Sequence, residues 1–181
     1  MNLVQLKDRS FLIRNLCFLQ RLIVASAPLL QFGMAHARGD LHGYFAQHWE
    51  EEVGHDEMLA EDLVRLGVED IPPCHTAASI AGSQYYLIAH EHPAMLLGYM
   101  LVLESNPLPM CAVEELERVH GVYLDSLRHH SLHDGDHAAR IRQMIESCTP
   151  GLRERIEVNA QMVAGGLLGV AKRLAEGNVI L

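Results

Sequence analysis

The chain reads as an all-α domain. Apolar residues recur at helical spacing in segment after segment, alternation of the strand type is nowhere sustained, and the breaks carry helix-boundary residues. Its 181 residues suit one domain with one core. A bundle of about seven to nine helices is expected. Residues 3–24 place Leu6, Ile13, Leu16, Leu19 and Ile23 on one stripe. Ser26-Ala27-Pro28 is a break, with Pro28 suited to the first turn of a short helix ending near Ala37. Gly39-Asp40 resembles a C-terminal glycine followed by an N-cap. The next helix is expected from Leu41 to Leu66, closed by Gly67. "IPPCHT" is a loop, and Thr76 to His90 a further helix. Pro93 opens another that ends near Glu104, and "SNPLP" is a turn. Val113 to His120 is helical and Gly121 breaks it. Residues 122–147 form one or two more helices, and Thr149-Pro150 starts the last, which reaches Glu176 before Gly177.

Composition narrows the function. Apolar residues are 49% and charged residues 20%, an ordinary globular balance. Fourteen basic against 23 acidic residues give a formal charge of -9, which argues against nucleic acid and against an anionic membrane surface as partners. The apolar stretch from Phe11 to Leu30 is interrupted by Arg14, Gln20 and Arg21, so neither a membrane span nor a secretory leader is expected. The four cysteines are scattered and no CxxC occurs, a pattern of free thiols in a reducing compartment. A cytoplasmic protein is expected.

Two stretches are rich in metal-friendly side chains: "HWEEEVGHDEM" (48–58) and "HHSLHDGDH" (129–137). On a continuous helix His48, Glu52 and His55 fall within about 60° of one another, with Glu51 at the edge of that arc and competing with Glu52 for the inward role. His130, Asp134 and His137 repeat the offsets of four and seven. One such pattern among 12 histidines is most simply a solvated helix face. Its recurrence on a second, distant helix points instead to a dinuclear iron or manganese site, in which carboxylates bridge the ions and imidazoles ligate them. Glu104 follows eleven mostly apolar residues in "HPAMLLGYMLVLES". It is either the wet end of a buried helix or a carboxylate delivered from a third helix, since an ionised group beside so much apolar surface wants a cation.

The stretches "HWEEEVGHDEMLAEDLVRLG", "AGSQYYLIAHEHPAMLLGYMLVLE" and "HHSLHDGDH" together resemble the heme-oxygenase-like diiron oxidases and oxygenases, relatives of the TenA and PqqC helical fold. The resemblance covers roughly residues 40–147 and implies a single heme-oxygenase-like helical domain over 1–181. It implies a non-heme site of three histidines and three carboxylates: Glu52, His55, Glu104, His130, Asp134 and His137. His48 is then a supporting group or reserve ligand, as is Glu51. Two iron ions are implied, the second labile, with manganese as an alternative, and dioxygen and a small organic metabolite as partners. Tyr85, Tyr86, His90 and His92 are candidates for polar contacts in a substrate pocket, with simple packing the alternative for the two tyrosines. Two other functions fit the fold: a non-catalytic metal-binding or interaction module, and a cofactor-independent PqqC- or TenA-like enzyme using acid-base chemistry. The small apolar run "VAGGLLGV" (163–170) permits close helix approach, and a homodimer is expected from it.

Overall fold

The computed structural model describes residues 3–177. It is all helix, and no strand forms among the described residues. The order is α1 (Leu3–Leu6), α2 (Arg9–Ile23), α3 (Ser26–His36), α4 (Gly39–Glu52), α5 (His55–Arg65), α6 (His75–His90), a 3-10 turn (Pro93–Met95), α7 (Leu96–Glu104), α8 (Met110–His120), α9 (Asp125–Ser147) and α10 (Pro150–Ala175). Two of the expected long stretches are split. Asp8 caps α2, its carboxylate accepting the Phe11 N–H at 2.7 Å, and this divides 3–24 into α1 and α2. The second split matters more. The expected helix 41–66 breaks at Val53–Gly54, where Val53 is extended and Gly54 has φ +92°, a conformation that only glycine adopts without strain. Gly135, by contrast, lies inside α9 without breaking it.

The short helix α7 is the hub. Leu96, Leu97, Gly98, Tyr99, Met100 and Glu104 are all buried, and α7 lies between α9 and α10. Its crossing with α10 is close: a Cβ on Gly98 would stand 2.5 Å from the Ile156 carbonyl oxygen. A buried amide network fixes the start of this segment. Asn159 on α10 donates to Gln84 of α6 at 2.8 Å and to the Met95 carbonyl at 2.8 Å. The run Arg9–His36 is long and apolar enough, by length and composition alone, to cross a membrane. Here it is bent into two helices whose Phe11, Leu12, Leu16, Leu22, Leu29 and Leu30 are buried in the core. Part of the "VAGGLLGV" face is likewise used within the chain: Val163 and Val170 are buried, and Gly166 backs onto Ile80.

Helix α9, which carries the second histidine stretch, packs on α5 and α7. Its own N-cap, Leu124, has no side-chain cap to offer. Asp62 of α5 does this instead. The fully buried carboxylate accepts the N–H groups of Asp125 and Ser126, both at 2.9 Å, and Arg65 at 2.6 Å. The first turn of α9 is thereby tied to α5, with the negative charge at the positive end of the helix.

Candidate metal centre

Four elements deliver the cluster. His48 and Glu52 come from the last turn of α4, His55 is the first residue of α5, Glu104 is the last of α7, and His130, Asp134 and His137 come from α9. His48, Glu52, His55, Glu104, Asp134 and His137 are all buried. His48, Glu52, Glu104 and His137 form one group, with one donor atom from each lying within 4.8 Å of the others. His48 Nε2 is 3.0 Å from Glu104 Oε1, and His137 Nδ1 is 3.2 Å from Glu104 Oε2. The second group lies beside it. His55 Nδ1 is 3.3 Å from Glu52 Oε1, His130 Nδ1 meets Asp134 Oδ1 at 2.8 Å, and the rings of His55 and His130 are 5.1 Å apart. Glu52 Oε1 also stands 3.9 Å from His48 Nε2, so this carboxylate faces both groups.

The offset of seven spreads the histidines along the axis, and the helix break turns His55. On an unbroken helix His55 would share the arc of His48 and Glu52. With Gly54 resetting the chain direction, His55 turns to the second group instead. His48, expected as a reserve, is one of the four donors of the first group and is 2% exposed. Glu51 is held in a two-pronged pair with Arg140, at 2.7 Å on each oxygen, and its Oε2 also stands 3.5 Å from His137 Nε2 and 3.7 Å from His48 Nδ1, so it sits at the rim of the first group while Glu52 is the buried carboxylate. The "GSQYYLIAHEHP" segment is arranged differently from a pocket wall. Tyr86 and His90 pack on each other on an exposed face of α6, and His92 Nδ1 accepts the Ala94 N–H as the cap of the 3-10 turn. Tyr85 lies edge-on to Phe32.

The donor set fits divalent transition metals. His48 Nδ1, His55 Nδ1, His130 Nε2, His137 Nδ1 and Glu104 Oε2 are buried without a hydrogen-bond partner, although carboxylates stand close to several of them. Such atoms cost free energy unless something satisfies them. An ion with bonds of about 2.1 Å holds its donors about 3 to 4.2 Å apart, and small rotamer changes would bring the first group to that spacing. Imidazole with carboxylate suits iron, manganese and zinc.

The electrostatics show mutual dependence. Burial works against the charge on Glu52, but His55 first, then His48 and His130, outweigh it and hold the carboxyl below its ordinary value. Burial likewise opposes a charged His130, yet its bond to Asp134 holds it above the ordinary imidazole value. Glu104 does the same for His137. His129, beside the cluster, is pushed down to about 4 by burial and by the imidazoles of His55, His133 and His130. Two phenols with buried hydroxyls flank the site. Tyr44, stacked on His48, is raised by burial and by Glu104, and Tyr99 by burial and by Glu52. Both hydroxyls lack a partner. Neither tyrosine stood out in the sequence, nor did Arg140. Tyr44 is four residues before His48 and Arg140 three after His137, so the helical spacing that marked the ligands could have marked them as well.

No family model and no curated protein matches the chain. Among solved structures it is similar to a domain of unknown function with a heme oxygenase-like fold from Shewanella denitrificans OS217. The TM-score is 0.77 at 14% identity, over 97% of this chain and 83% of that one. The fold is therefore heme-oxygenase-like, as the sequence resemblance implied. At that identity the likeness carries the fold alone, and the chemistry rests on the buried histidine-carboxylate cluster, which could hold a metal ion.

Proposed function

We propose that this chain is a non-heme diiron oxidase or oxygenase acting on a small organic metabolite. The observation that carries the reading is Glu52 facing two adjacent groups of buried, unsatisfied donors. His48, Glu52, Glu104 and His137 would hold one ion, and Glu52, His55, His130 and Asp134 the other. Two divalent ions would bring four positive charges to three carboxylates, close to the balance that a dry site requires. When bound, a ferrous pair supplies the reducing electrons for dioxygen activation. An iron-manganese pair would use the same donors. The protein's own contribution is positional. Arg140 neutralises Glu51 at the rim, and Tyr44 and Tyr99, held protonated, offer hydroxyl donors beside the cluster. A reducing cytoplasm, which the four free cysteines favour, would keep the iron ferrous.

The test is an anaerobic ferrous titration followed by oxygen uptake against a metabolite panel. The parent is expected to bind two irons per chain, the second more weakly, and to accelerate oxygen consumption. His137→Ala and His48→Ala are each expected to lose at least one iron while keeping the parent's far-UV circular dichroism, because the carboxylates left behind can take up a proton. His36→Ala, an exposed residue bonded to its own helix, serves as the control. Parent-like iron binding by both cluster variants would refute the assignment. Iron binding without oxygen consumption would favour a metal-binding module without the chemistry.

A further inference from the structure

Three histidines lead from solvent to the cluster. His133 is exposed, His129 half-buried and His55 buried. The rings of His133 and His129 are 4.5 Å apart, and those of His129 and His55 are again 4.5 Å apart. From His55 the next step is Glu52, at 3.3 Å. His129 and His133 stand four residues apart on α9, the spacing at which two imidazoles on one helix face chelate a single divalent ion. His129 also lines a surface cleft of about 480 Å³ whose other walls include Gly54, Glu57, Glu61 and Asp125. Arg65 neutralises part of this acidic rim, and Arg128 is tied to Glu117. What remains favours the approach of cations over anions.

We propose that His133 and His129 are a capture site for a divalent transition-metal ion, which passes to His55 and so into the buried cluster. The proposal rests on the cluster being a metal site. A site this deeply buried needs a way in, and an ion gives up its water with difficulty unless protein donors replace it step by step. Each imidazole of the series offers such a donor at increasing depth. His55 is suited to receive the ion, since its Nδ1 is buried and stands 3.3 Å from the Glu52 carboxylate, the next donor inward. If the three rings were only packing, their loss would alter stability but not the rate at which metal enters.

The experiment mixes metal-free protein with cobalt(II) in a stopped-flow instrument and follows the ligand-field absorption. Metal content at equilibrium is measured separately. The His129→Ala/His133→Ala double variant is expected to load at least tenfold more slowly than the parent and to reach the same final content. His133→Ala alone, at an exposed position that the fold does not need, is expected to slow loading severalfold. His90→Ala, an exposed histidine of α6, is expected to load like the parent. A double variant loading within threefold of the parent overturns the capture role while leaving the cluster assignment standing. A fall in final content also overturns it, because His129 would then be a resident ligand. A parent that takes up no cobalt removes the metal-site reading itself, and the capture role with it.

Discussion

Asp62 lies outside the cluster but governs the helix that carries three of its seven side chains. Replacing Asp62 with Ala leaves the N–H groups of Asp125 and Ser126 unpaired, the second in a buried residue, and takes away the partner of Arg65 at 2.6 Å. Loss of a helix cap costs about 0.5–2 kcal/mol, and loss of a hydrogen bond to a charged group about 1.5–3 kcal/mol. The two figures describe overlapping bonds, so the total is about 3 kcal/mol rather than their sum. In a chain of this length each kcal/mol moves Tm by about 2–4 °C, so Asp62→Ala should melt about 6–12 °C below the parent. Asp62→Asn keeps one acceptor oxygen but turns an amide N–H toward the second donor, and about half the loss is expected. Glu61→Ala, at the exposed neighbouring position, should stay within about 0.5 kcal/mol of the parent. The assay is thermal melting by far-UV circular dichroism, paired with ferrous titration. His130 and Asp134 are nearer the released end of α9 than His137, so the second iron should weaken more than the first. An Asp62→Ala protein that melts within about 2 °C of the parent would refute the capping argument.

Gly98→Ala and Gly165→Ala should move stability in opposite directions. The new methyl at 98 would collide with the Ile156 carbonyl at 2.5 Å, whereas nothing lies within 4 Å at 165. Overpacking costs about 1–3 kcal/mol, offset by about 1 kcal/mol of helix propensity, while at 165 only the propensity gain remains. Urea midpoints shifting in the same direction would sink this account. The metal-free protein should also have a characteristic pH dependence. Glu52, held below its ordinary 4.5, contributes stability that is present above that value and lost as pH falls through its depressed one. His130 and His137, held above their ordinary 6.5, contribute stability that is present below that value and lost as pH rises through their raised ones. These groups therefore favour the metal-free fold most between pH 4.5 and 6.5. Iron affinity should rise over the same alkaline limb on which metal-free stability falls, because the ligands must be neutral imidazoles. Denaturant melts across pH, with and without ferrous iron, check both signs. A His130→Ala/His137→Ala variant with an unchanged alkaline limb would contradict the assignment.

What was legible in the sequence followed from periodicity. The helical class and the inward face of α9 come from repeats of three and four, which the helix itself imposes, whereas the apolar run before Glu104 left its role open. What was not legible depended on single backbone positions and on contacts distant in sequence. Gly54 looked like any glycine tolerated inside a helix, and its positive φ is set by how α4 and α5 must each pack. The choice between Glu51 and Glu52 could not be made without Arg140, 89 residues away. The capping of α9 by Asp62 spans 63 residues and leaves no local trace. Tyr86 and His90 resembled pocket residues because aromatic and imidazole side chains suit both a tunnel and a wet surface, and only the orientation of α6 separates the two.

The offset of seven residues in both stretches spreads the histidines along the helix axes into two neighbouring groups, and the break at Gly54 re-aims the second. Along α9 a residue advances about 1.5 Å, so His130 and His137 are separated by about 10 Å along the axis. That is too far for both to reach a single ion, but it suits two ions side by side, with Asp134 between them in sequence and joined to His130. On a continuous α4–α5 helix His48 and His55, also seven residues apart, would be spread by the same ~10 Å along the axis, so what the break changes is the direction in which His55 points. Breaking it at Gly54 leaves His48 facing His137, with rings 5.0 Å apart, and re-aims His55 at His130, with rings 5.1 Å apart. Glu52, the last residue before the break, is left facing both. Any residue other than glycine at 54 would strain the positive φ and pull the chain back toward a continuous helix. The contacts most open to that change are those of His55 with Glu52 and His130, so the conformation of Gly54 sets how closely the two groups of side chains meet.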